Sequence, residues 1–279
     1  MPLRVVKLGG SLLDMPQLVA RCRSWIAQQA PADNVLVIGG GAMVDAVRRA
    51  QRLHGLSDKS AHWLCIRAMA VQAEMMLSLM PEAAGLVAVE DLEAIVAGEA
   101  DGQGPIAPSS FAGNLPSLSG RGRGRVALSA AESRSTAAPS PPAPLPRRGE
   151  RSVSPRGSER PRGSALPPGS SQSRVMILDP WRFLHDEEPW LAREPLPESW
   201  DVTSDSIAAR LAQLARADEL VLLKSALPAE ETIAEMSASR FVDRYFPQAS
   251  AGLERVRFVN LRDAAYSELV VARQSHEET

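Results

Sequence analysis

Short apolar segments alternate with segments of helical periodicity along most of this chain, and this alternation constrains the fold most strongly. The apolar segments predict strands at residues 4–8, 35–38, 86–89, 175–178, 220–223 and 256–259. Helices are predicted at 15–29 with Asp14 as N-cap, 42–53, most of 56–80, 92–96, 205–215, 230–237 and after the last strand. Buried strands joined by helices are typical of a mostly parallel sheet covered on both faces. We therefore expect an α/β fold with three layers, in which helices cover both faces of a central sheet.

One long segment departs from this alternation. Residues 101–173 are dense in Pro, Ser, Gly and Arg and contain a single aromatic residue, Phe111. Such a composition cannot bury enough apolar surface to offset the entropy of ordering it. We interpret the segment as a disordered insertion that acts as a solvated linker. A basic arm that binds nucleic acid or a protein partner is the alternative.

Charge and cysteine content limit the class of protein. Residues 101–173 carry ten Arg and four acidic residues, a net charge of +6, so the rest of the chain has −8 of the total of −2. The folded part is therefore acidic, and we do not expect a nucleic-acid partner for it. Cys22 and Cys65 have no pairing or metal-ligand spacing, which favours structural thiols in a reducing compartment. Because no export leader and no long apolar run is found, we expect a cytoplasmic protein without a membrane partner.

Two glycine clusters follow the first two predicted strands. Gly9, Gly10 and Ser11 follow the first in "VKLGGSLL", and the triplet 39–41 (Gly39, Gly40 and Gly41) follows the second in "VLVIGGGAMVDAVR". Each cluster precedes a helix, where free backbone amides and the positive end of the helix dipole favour anions. Either cluster alone is as well explained by a tight turn. Together they predict a phosphate cradle, although neither matches the P-loop or the dinucleotide-binding fingerprint.

Lysine is scarce in this chain. Of 31 basic residues only Lys7, Lys59 and Lys224 are lysines, and two of them stand at the ends of predicted strands. An ammonium at a strand end beside a glycine turn suits a phosphate. The alternative is a surface lysine whose stem covers apolar residues.

The segment "WDVTSDSIAARLAQLARADELVLLKS" begins a helix with polar residues. Thr203, Ser204 and Asp205 stand at its start, and each could cap the helix or favour its dipole. The functional alternative is that Asp205 orients lysines or a magnesium ion between phosphates. His62, in "SAHWLCIRAM", could reach a phosphate as a donor, although a structural histidine is an equal alternative.

These three segments, in this order and at this separation, resemble the amino acid kinase family, which includes acetylglutamate, aspartate, uridylate and isopentenyl phosphate kinases. The resemblance covers both blocks on either side of 101–173. It implies the amino acid kinase fold, with residues 1–100 as the acceptor-binding part and 174–279 as the nucleotide-binding part of one domain. It also implies ATP with Mg²⁺, a homo-oligomer and a small phosphate acceptor as partners.

The resemblance implies roles for individual residues. Lys7 would stabilise the transferring phosphoryl group, Asp205 would organise the lysines, and the glycines would offer amides to the phosphate. Ser11 would bond a phosphate oxygen, and Thr203, Ser204 and Lys224 would lie toward the nucleotide. No residue is expected as a metal ligand. The chain departs from the family after Lys224, where residues 225–229 read "SALPA" in place of a short acidic, glycine-containing loop.

Within the family, "SAHWLCIRAMAVQAEMML", "LPESWDVTSDSIA" and "FVDRYFP" look most like the kinases of methanofuran biosynthesis. Those enzymes use ATP to phosphorylate an aminomethylfuran-methyl phosphate. The alternatives are another acceptor, namely UMP, isopentenyl phosphate or an amino-acid carboxylate, and a nucleotide-binding protein of this fold without turnover. Phosphoryl transfer needs positioning and charge neutralisation more than a dedicated base, so the lack of a nucleophile–histidine pair does not exclude a kinase.

Overall fold

A computed structural model describes residues 1–92 and 173–272. The predicted insertion at 101–173 and the predicted helix at 92–96 lie outside these residues, except for Ser173 and Leu92. In the described residues, the strands are β1 (Leu3–Leu8), β2 (Asp33–Ile38), β3 (Leu86–Val87), β4 (Arg174–Leu178), β5 (Glu219–Lys224), β6 (Arg255–Asn260) and β7 (Glu268–Ala272). They form one sheet in the order β3-β4-β2-β1-β5-β6-β7. All pairs are parallel except β6 with β7.

Helices connect most of these strands. The principal ones are α1 (Leu18–Ala27), α2 (Gly41–His54), α3 (Asp58–Leu79), α4 (Ser204–Leu214), α5 (Ile233–Ala238) and α6 (Phe246–Ala249). A shorter helical segment of Pro180–Arg182, Phe183–Glu187 and Glu188–Leu191 follows β4. No helix among the described residues is long and apolar enough to cross a membrane.

Each face of the sheet has its own core. The side chains of Val5, Val37 and Leu222 pack on one face, where α4, α5 and α6 contribute apolar residues. Alternate strand residues, such as Val6 and Leu36, pack on the other face against α1. Because both faces are covered, every residue of β1 and β2 is buried. The prediction of a three-layer α/β fold with a mostly parallel sheet is confirmed.

The sheet provides a crevice beside β1. The connection that leaves β1 crosses the face covered by α1, whereas the connection that leaves β5 crosses the face covered by α5 and α6. Connections that diverge from neighbouring parallel strands leave a crevice at the strands' carboxyl ends, where ligands bind in open α/β sheets. Both glycine clusters and both strand-end lysines lie at these carboxyl ends of the strands.

Two predictions on the local structure are wrong. The first helix begins at Leu18 rather than residue 15, and its N-cap is Gln17 without a side-chain bond, so Asp14 does not cap it. The expected last helix is instead the strand β7, up to residue 272. In β7 half-buried Leu269 and Val271 alternate with exposed residues and pack against one core. This two-residue period of burial is that of a strand and not of a helix.

Candidate functional site

The two strand-end lysines point to the same face of the sheet. Lys7 of β1 lies opposite Leu222 of β5, and Lys224 follows two residues later in β5. Because side chains alternate between faces along a strand, Lys7, Leu222 and Lys224 share a face, the one that α4 covers. Their ammonium groups therefore meet the first turn of α4.

Asp205 occupies that turn and lies between the two lysines. Its Oδ1 is 2.8 Å from Lys7 Nζ, and its Oδ2 accepts a hydrogen bond of 2.8 Å from Lys224 Nζ. The side chains of Lys7, Lys224 and Asp205 are only 5%, 11% and 7% exposed. Lys224 Nζ also donates to Phe241 O at 2.9 Å. We call this group the lysine–aspartate centre.

Burial and charge act on this centre in opposite directions. Burial raises the pKa of Asp205, but the charges of Lys224 and Lys7 outweigh it and hold that pKa at about 2. Burial lowers the pKa of Lys224 to about 8, with Lys7 adding to this and Asp205 opposing it. The centre therefore has two cations and one anion near pH 7, and its excess positive charge suits a phosphate.

The two glycine turns, which follow β1 and β2, touch each other. A Cβ on Gly10 would lie 2.6 Å from Gly41 N, and a Cβ on Gly39 would lie 2.6 Å from Gly10 N. Gly41 also has a positive φ of 51°. Backbone contact of this kind excludes any side chain, so the glycines are required for the turns to pack together.

The amides of these turns differ in their availability. Gly9 N donates to Leu223 O and Gly39 N donates to Leu8 O, both at 2.9 Å, so these two amides are engaged in the sheet. The amides of Gly10, Ser11, Gly40 and Gly41 donate to no described residue. Those four residues line a cavity, whereas Gly9 and Gly39 do not. Of the six turn residues predicted to bind phosphate, four therefore have a backbone amide that is available to a ligand.

This glycine cavity has a volume of about 210 Å³. Besides the four turn residues, its wall contains residues of α2, of α3, of the segment before α4 and of α4 itself: Val44, Asp45, Arg48, His62, Cys65, Ile66, Met69, Trp200, Val202, Thr203, Ser204 and Ile207. The wall thus combines free backbone amides and polar side chains with apolar and aromatic side chains. Such a cavity suits a small molecule with an anionic end and an organic end.

His62 lies in the wall of the glycine cavity. Its Nδ1 is 3.4 Å from Ser199 O, and burial lowers its pKa, so the ring is neutral near pH 7. When Nδ1–H donates to this carbonyl, Nε2 is an acceptor. The ring therefore fits a hydroxyl or amine of a ligand better than a phosphate.

Thr203 and Ser206 are held by a residue that the sequence did not single out, Asp243. Asp243 Oδ2 accepts from Thr203 N, Thr203 Oγ1 and Ser206 N at 2.8, 2.9 and 3.0 Å. Asp243 Oδ1 accepts from Ser206 Oγ. Asp243 thus caps α4 from a distant loop and fixes the turn that carries Asp205. Its only signal in the sequence was its place within "FVDRYFP".

The remaining predicted residues differ in their surroundings. Ser204 is buried and lines the glycine cavity, but Thr203 is engaged by Asp243. Ser11 Oγ donates to Ser225 Oγ at 3.2 Å, which connects the first glycine turn to the residue after Lys224. Burial raises the pKa of the Cys65 thiol to about 11, so this cavity residue stays protonated and is no nucleophile. In the described residues both cysteines are free and buried.

A divalent metal would find no free carboxylate at this centre. Asp205 is engaged by two ammonium groups and Asp243 by four donors. No group of three or more His, Cys, Asp or Glu side chains suited to a metal ion occurs among the described residues. The residues present therefore do not fit a protein-held Mg²⁺ ion.

Comparison with known proteins gives limited information. No family model and no curated protein matches the chain. Among solved structures, uridylate kinase from Archaeoglobus fulgidus aligns with 81% of this chain at 15% identity and a TM-score of 0.40. This chain spans 64% of the length of that protein. UMP kinase from Ureaplasma parvum aligns over 98% of this chain and 99% of its own at 10% identity and a TM-score of 0.49. Likeness at this level carries no argument about activity.

Proposed function

We propose that this chain is an ATP-dependent kinase that transfers a phosphoryl group to a small phosphate monoester. The observation that carries the proposal is the lysine–aspartate centre at the carboxyl ends of β1 and β5, at the same end of the sheet as two touching glycine turns with free amides. Phosphoryl transfer is catalysed chiefly by positioning and by neutralising charge on the transferring group. The centre supplies two positive charges, and the turns supply donors at fixed positions.

Each residue has a distinct role in this proposal. Lys7 and Lys224 stabilise negative charge on the transferring group, and Asp205 holds both ammonium groups in place. The amides of Gly10, Ser11, Gly40 and Gly41 bind phosphate oxygens. Asp243 is a positioning residue that acts through α4. A phosphate acceptor brings its own nucleophilic oxygen, so no dedicated base is required.

Magnesium would enter with the nucleotide in this scheme. The two central carboxylates are engaged, so phosphate oxygens would hold the ion. The ion would supply additional neutralisation of phosphate charge when bound. The residues of this chain would still orient the phosphates and exclude water from the centre.

The acceptor is the finer part of the proposal. The apolar and aromatic side chains of the glycine cavity, with neutral His62 as a hydrogen-bond acceptor, favour a compact ring with an amine or hydroxyl group. An aminomethylfuran-methyl phosphate, as used in methanofuran biosynthesis, has these features. UMP, isopentenyl phosphate and amino-acid carboxylates are the competing acceptors. We further propose that the protein works as a homo-oligomer in the cytoplasm.

Coupled measurement of ADP formation with Mg²⁺–ATP tests the proposal on the full chain. The acceptors are aminomethylfuran-methyl phosphate, UMP, isopentenyl phosphate, acetylglutamate and aspartate. We expect ADP release above the acceptor-free rate with a phosphate monoester and not with the two carboxylates. If ATP binds in calorimetry but no acceptor increases ADP release, the chain is a nucleotide-binding protein without turnover. The altered segment 225–229 after Lys224 favours that second candidate.

A further inference from the structure

A second cavity lies beside the lysine–aspartate centre, and arginines dominate its charge. It has a volume of about 590 Å³ and includes Asp205 and Asp243 in its wall. Four guanidinium groups line it, from Arg48 and Arg52 of α2 and from Arg240 and Arg244 of the loop after α5. We call it the arginine cavity.

Within the described residues, two of the four arginines of this cavity pair with a carboxylate, and the other two do not. Asp205 is engaged by the lysines and Asp243 by Thr203 and Ser206. Asp201 lies 3.5 Å from Arg244 in an exposed pair. In the part of the chain that the structure describes, no carboxylate forms a salt bridge with Arg52 or Arg240. Arg48 pairs with Asp45, with 3.1 Å between Nη1 and Oδ1, and lies over the ring of Trp200, with 4.8 Å between its guanidinium carbon and the ring centroid.

Arg240 stands in a backbone conformation that glycine normally occupies. It follows α5 and its C-cap Ser239, with a φ of 66°. Phe241 N donates to Met236 O and Arg240 N to Ser237 O, which together form a Schellman motif. Glycine is the usual residue at this position because a side chain strains the left-handed backbone. Arg240 is exposed and lines the arginine cavity in this conformation.

We propose that the arginine cavity binds a linear oligophosphate, a chain of two or more phosphates, and that Arg240 is one of its binding residues. Guanidinium groups pair with phosphate oxygens in two-pronged hydrogen bonds, and several of them suit a ligand with several charges. The inference deepens the proposed function, because the ligand would be the triphosphate of the nucleotide or the diphosphate of the product. Both have the same chemistry.

The chain offers a matched control for Arg240. Arg216 follows α4 with a φ of 50°, and Ala217 N donates to Ala212 O and Arg216 N to Gln213 O, the same motif. Arg216 lines neither cavity, and it precedes β5, at the edge of the sheet opposite Lys224. Replacing either arginine by glycine relieves the same backbone strain. Only one of the two replacements removes a cavity residue.

The experiment is calorimetric titration of the full chain with sodium tripolyphosphate, for Arg240→Gly and Arg216→Gly. We expect both variants to melt at or above the wild-type Tm. Affinity for tripolyphosphate should fall about tenfold or more in Arg240→Gly and stay unchanged in Arg216→Gly. Arg52→Gln, which alters no strained backbone, should weaken binding in the same way, with exposed Arg49→Gln of α2 as its control. Equal affinities in Arg240→Gly, Arg52→Gln and the wild type would overturn the inference.

The source of the oligophosphate is distinguished by two further titrations. A larger loss of affinity for ATP than for a diphosphorylated acceptor product in Arg240→Gly identifies the nucleotide, and the reverse identifies the product. Because binding is measured without turnover, the absence of kinase activity would overturn the proposed function and leave this test intact. Conversely, if the chain is an active kinase and its affinity for tripolyphosphate is unchanged in Arg240→Gly and Arg52→Gln, only this inference is contradicted.

Discussion

Asp205 keeps its negative charge although it is buried, because two ammonium groups lie 2.8 Å from its oxygens. That carboxylate in turn bridges the two ammonium groups. Removing one partner of such a buried group leaves an uncompensated charge, which commonly costs about 3–5 kcal/mol. The lysine–aspartate centre is therefore a unit, and its residues act on one another as well as on a ligand.

The protonation of Lys224 predicts how the reaction rate depends on pH. Its pKa is lowered to about 8, so the folded protein loses this ammonium as pH rises through that value. If the charge stabilises the transferring group, kcat falls on the basic side with an apparent pKa near 8. In Lys224→Arg the guanidinium stays charged, so the basic decline should move to higher pH even if the maximal rate is lower.

A pH profile of kcat for the wild type and Lys224→Arg measures this effect. The same lowered pKa has an opposite consequence for stability. Between about pH 8 and 10.5 the unfolded chain retains a proton that folded Lys224 has lost, so this group increases stability as pH rises. If kcat falls at basic pH only where the protein also unfolds, loss of the Lys224 charge is not the cause of the fall, and the role assigned to Lys224 is contradicted.

At the scale of elements, the start of α4 depends on Asp243. Asp243→Ala removes the acceptor of four hydrogen bonds at that helix end, and we expect the free energy of unfolding to fall by about 2 kcal/mol. Because the turn that carries Asp205 loosens, kcat should fall as well. Urea unfolding and steady-state kinetics measure the two effects.

Thr232→Ala is a matched control for Asp243→Ala. Thr232 caps α5 through a reciprocal capping box with Glu235 and lines neither the glycine cavity nor the arginine cavity. Its loss should cost about 1 kcal/mol of stability and leave kcat unchanged. An equal loss of kcat in both variants would mean that Asp243 acts only through global stability.

The contact between the glycine turns can be tested by adding one methyl group. In Gly10→Ala the new Cβ would lie 2.6 Å from Gly41 N, so the turns must separate. We expect a loss of both stability and phosphate binding, measured by thermal unfolding and calorimetry. Gly55→Ala is the control, because its Cβ meets nothing within 4 Å and only the positive φ is strained. Unaltered phosphate binding in Gly10→Ala would show that the turns do not form the cradle.

The sequence predicted the elements that carry a strong local signal. Alternating strands and helices, the two glycine turns and the polar start of α4 were visible because each depends on neighbouring residues. The contact of Lys7 with Asp205, 198 positions along the chain, was not local and came from the family resemblance. Asp243 was missed because it caps a helix that begins about 40 residues before it. Asp14 was misassigned because the helix begins one turn later than its apolar pattern.

At the scale of the whole molecule, the register of the parallel strands brings the site together. Lys7, Lys224 and both glycine turns lie at one edge because β2, β1 and β5 are neighbours in the sheet. Alternation of strands and helices predicts a parallel sheet but not the order of its strands. The sequence therefore indicated that the candidate residues lie together at the carboxyl ends of the strands. That the amides of Gly9 and Gly39 are hydrogen-bonded within the sheet could be seen only in the structure.

The composition of residues 101–173 predicts that this segment is dispensable for catalysis. A chain in which residues 101–170 are replaced by a short Gly/Ser linker should keep its rate of ADP formation, since loop length affects closure entropy only slowly. Salt-dependent RNA binding by the full chain, lost on deletion, would favour the basic-arm interpretation instead. Filter binding and the coupled assay measure the two properties.

The most direct test of the account is the rate of acceptor-dependent ADP formation in Lys7→Ala, with Lys59→Ala as control. Lys59 is 72% exposed and pairs with Glu198 at the surface. We expect kcat to fall about 100- to 1,000-fold in Lys7→Ala, by analogy with the loss of one charge-stabilising donor, with an unchanged circular dichroism spectrum. Lys59→Ala should match the wild type. A folded Lys7→Ala protein that turns over at the wild-type rate would contradict the proposed role of the lysine–aspartate centre.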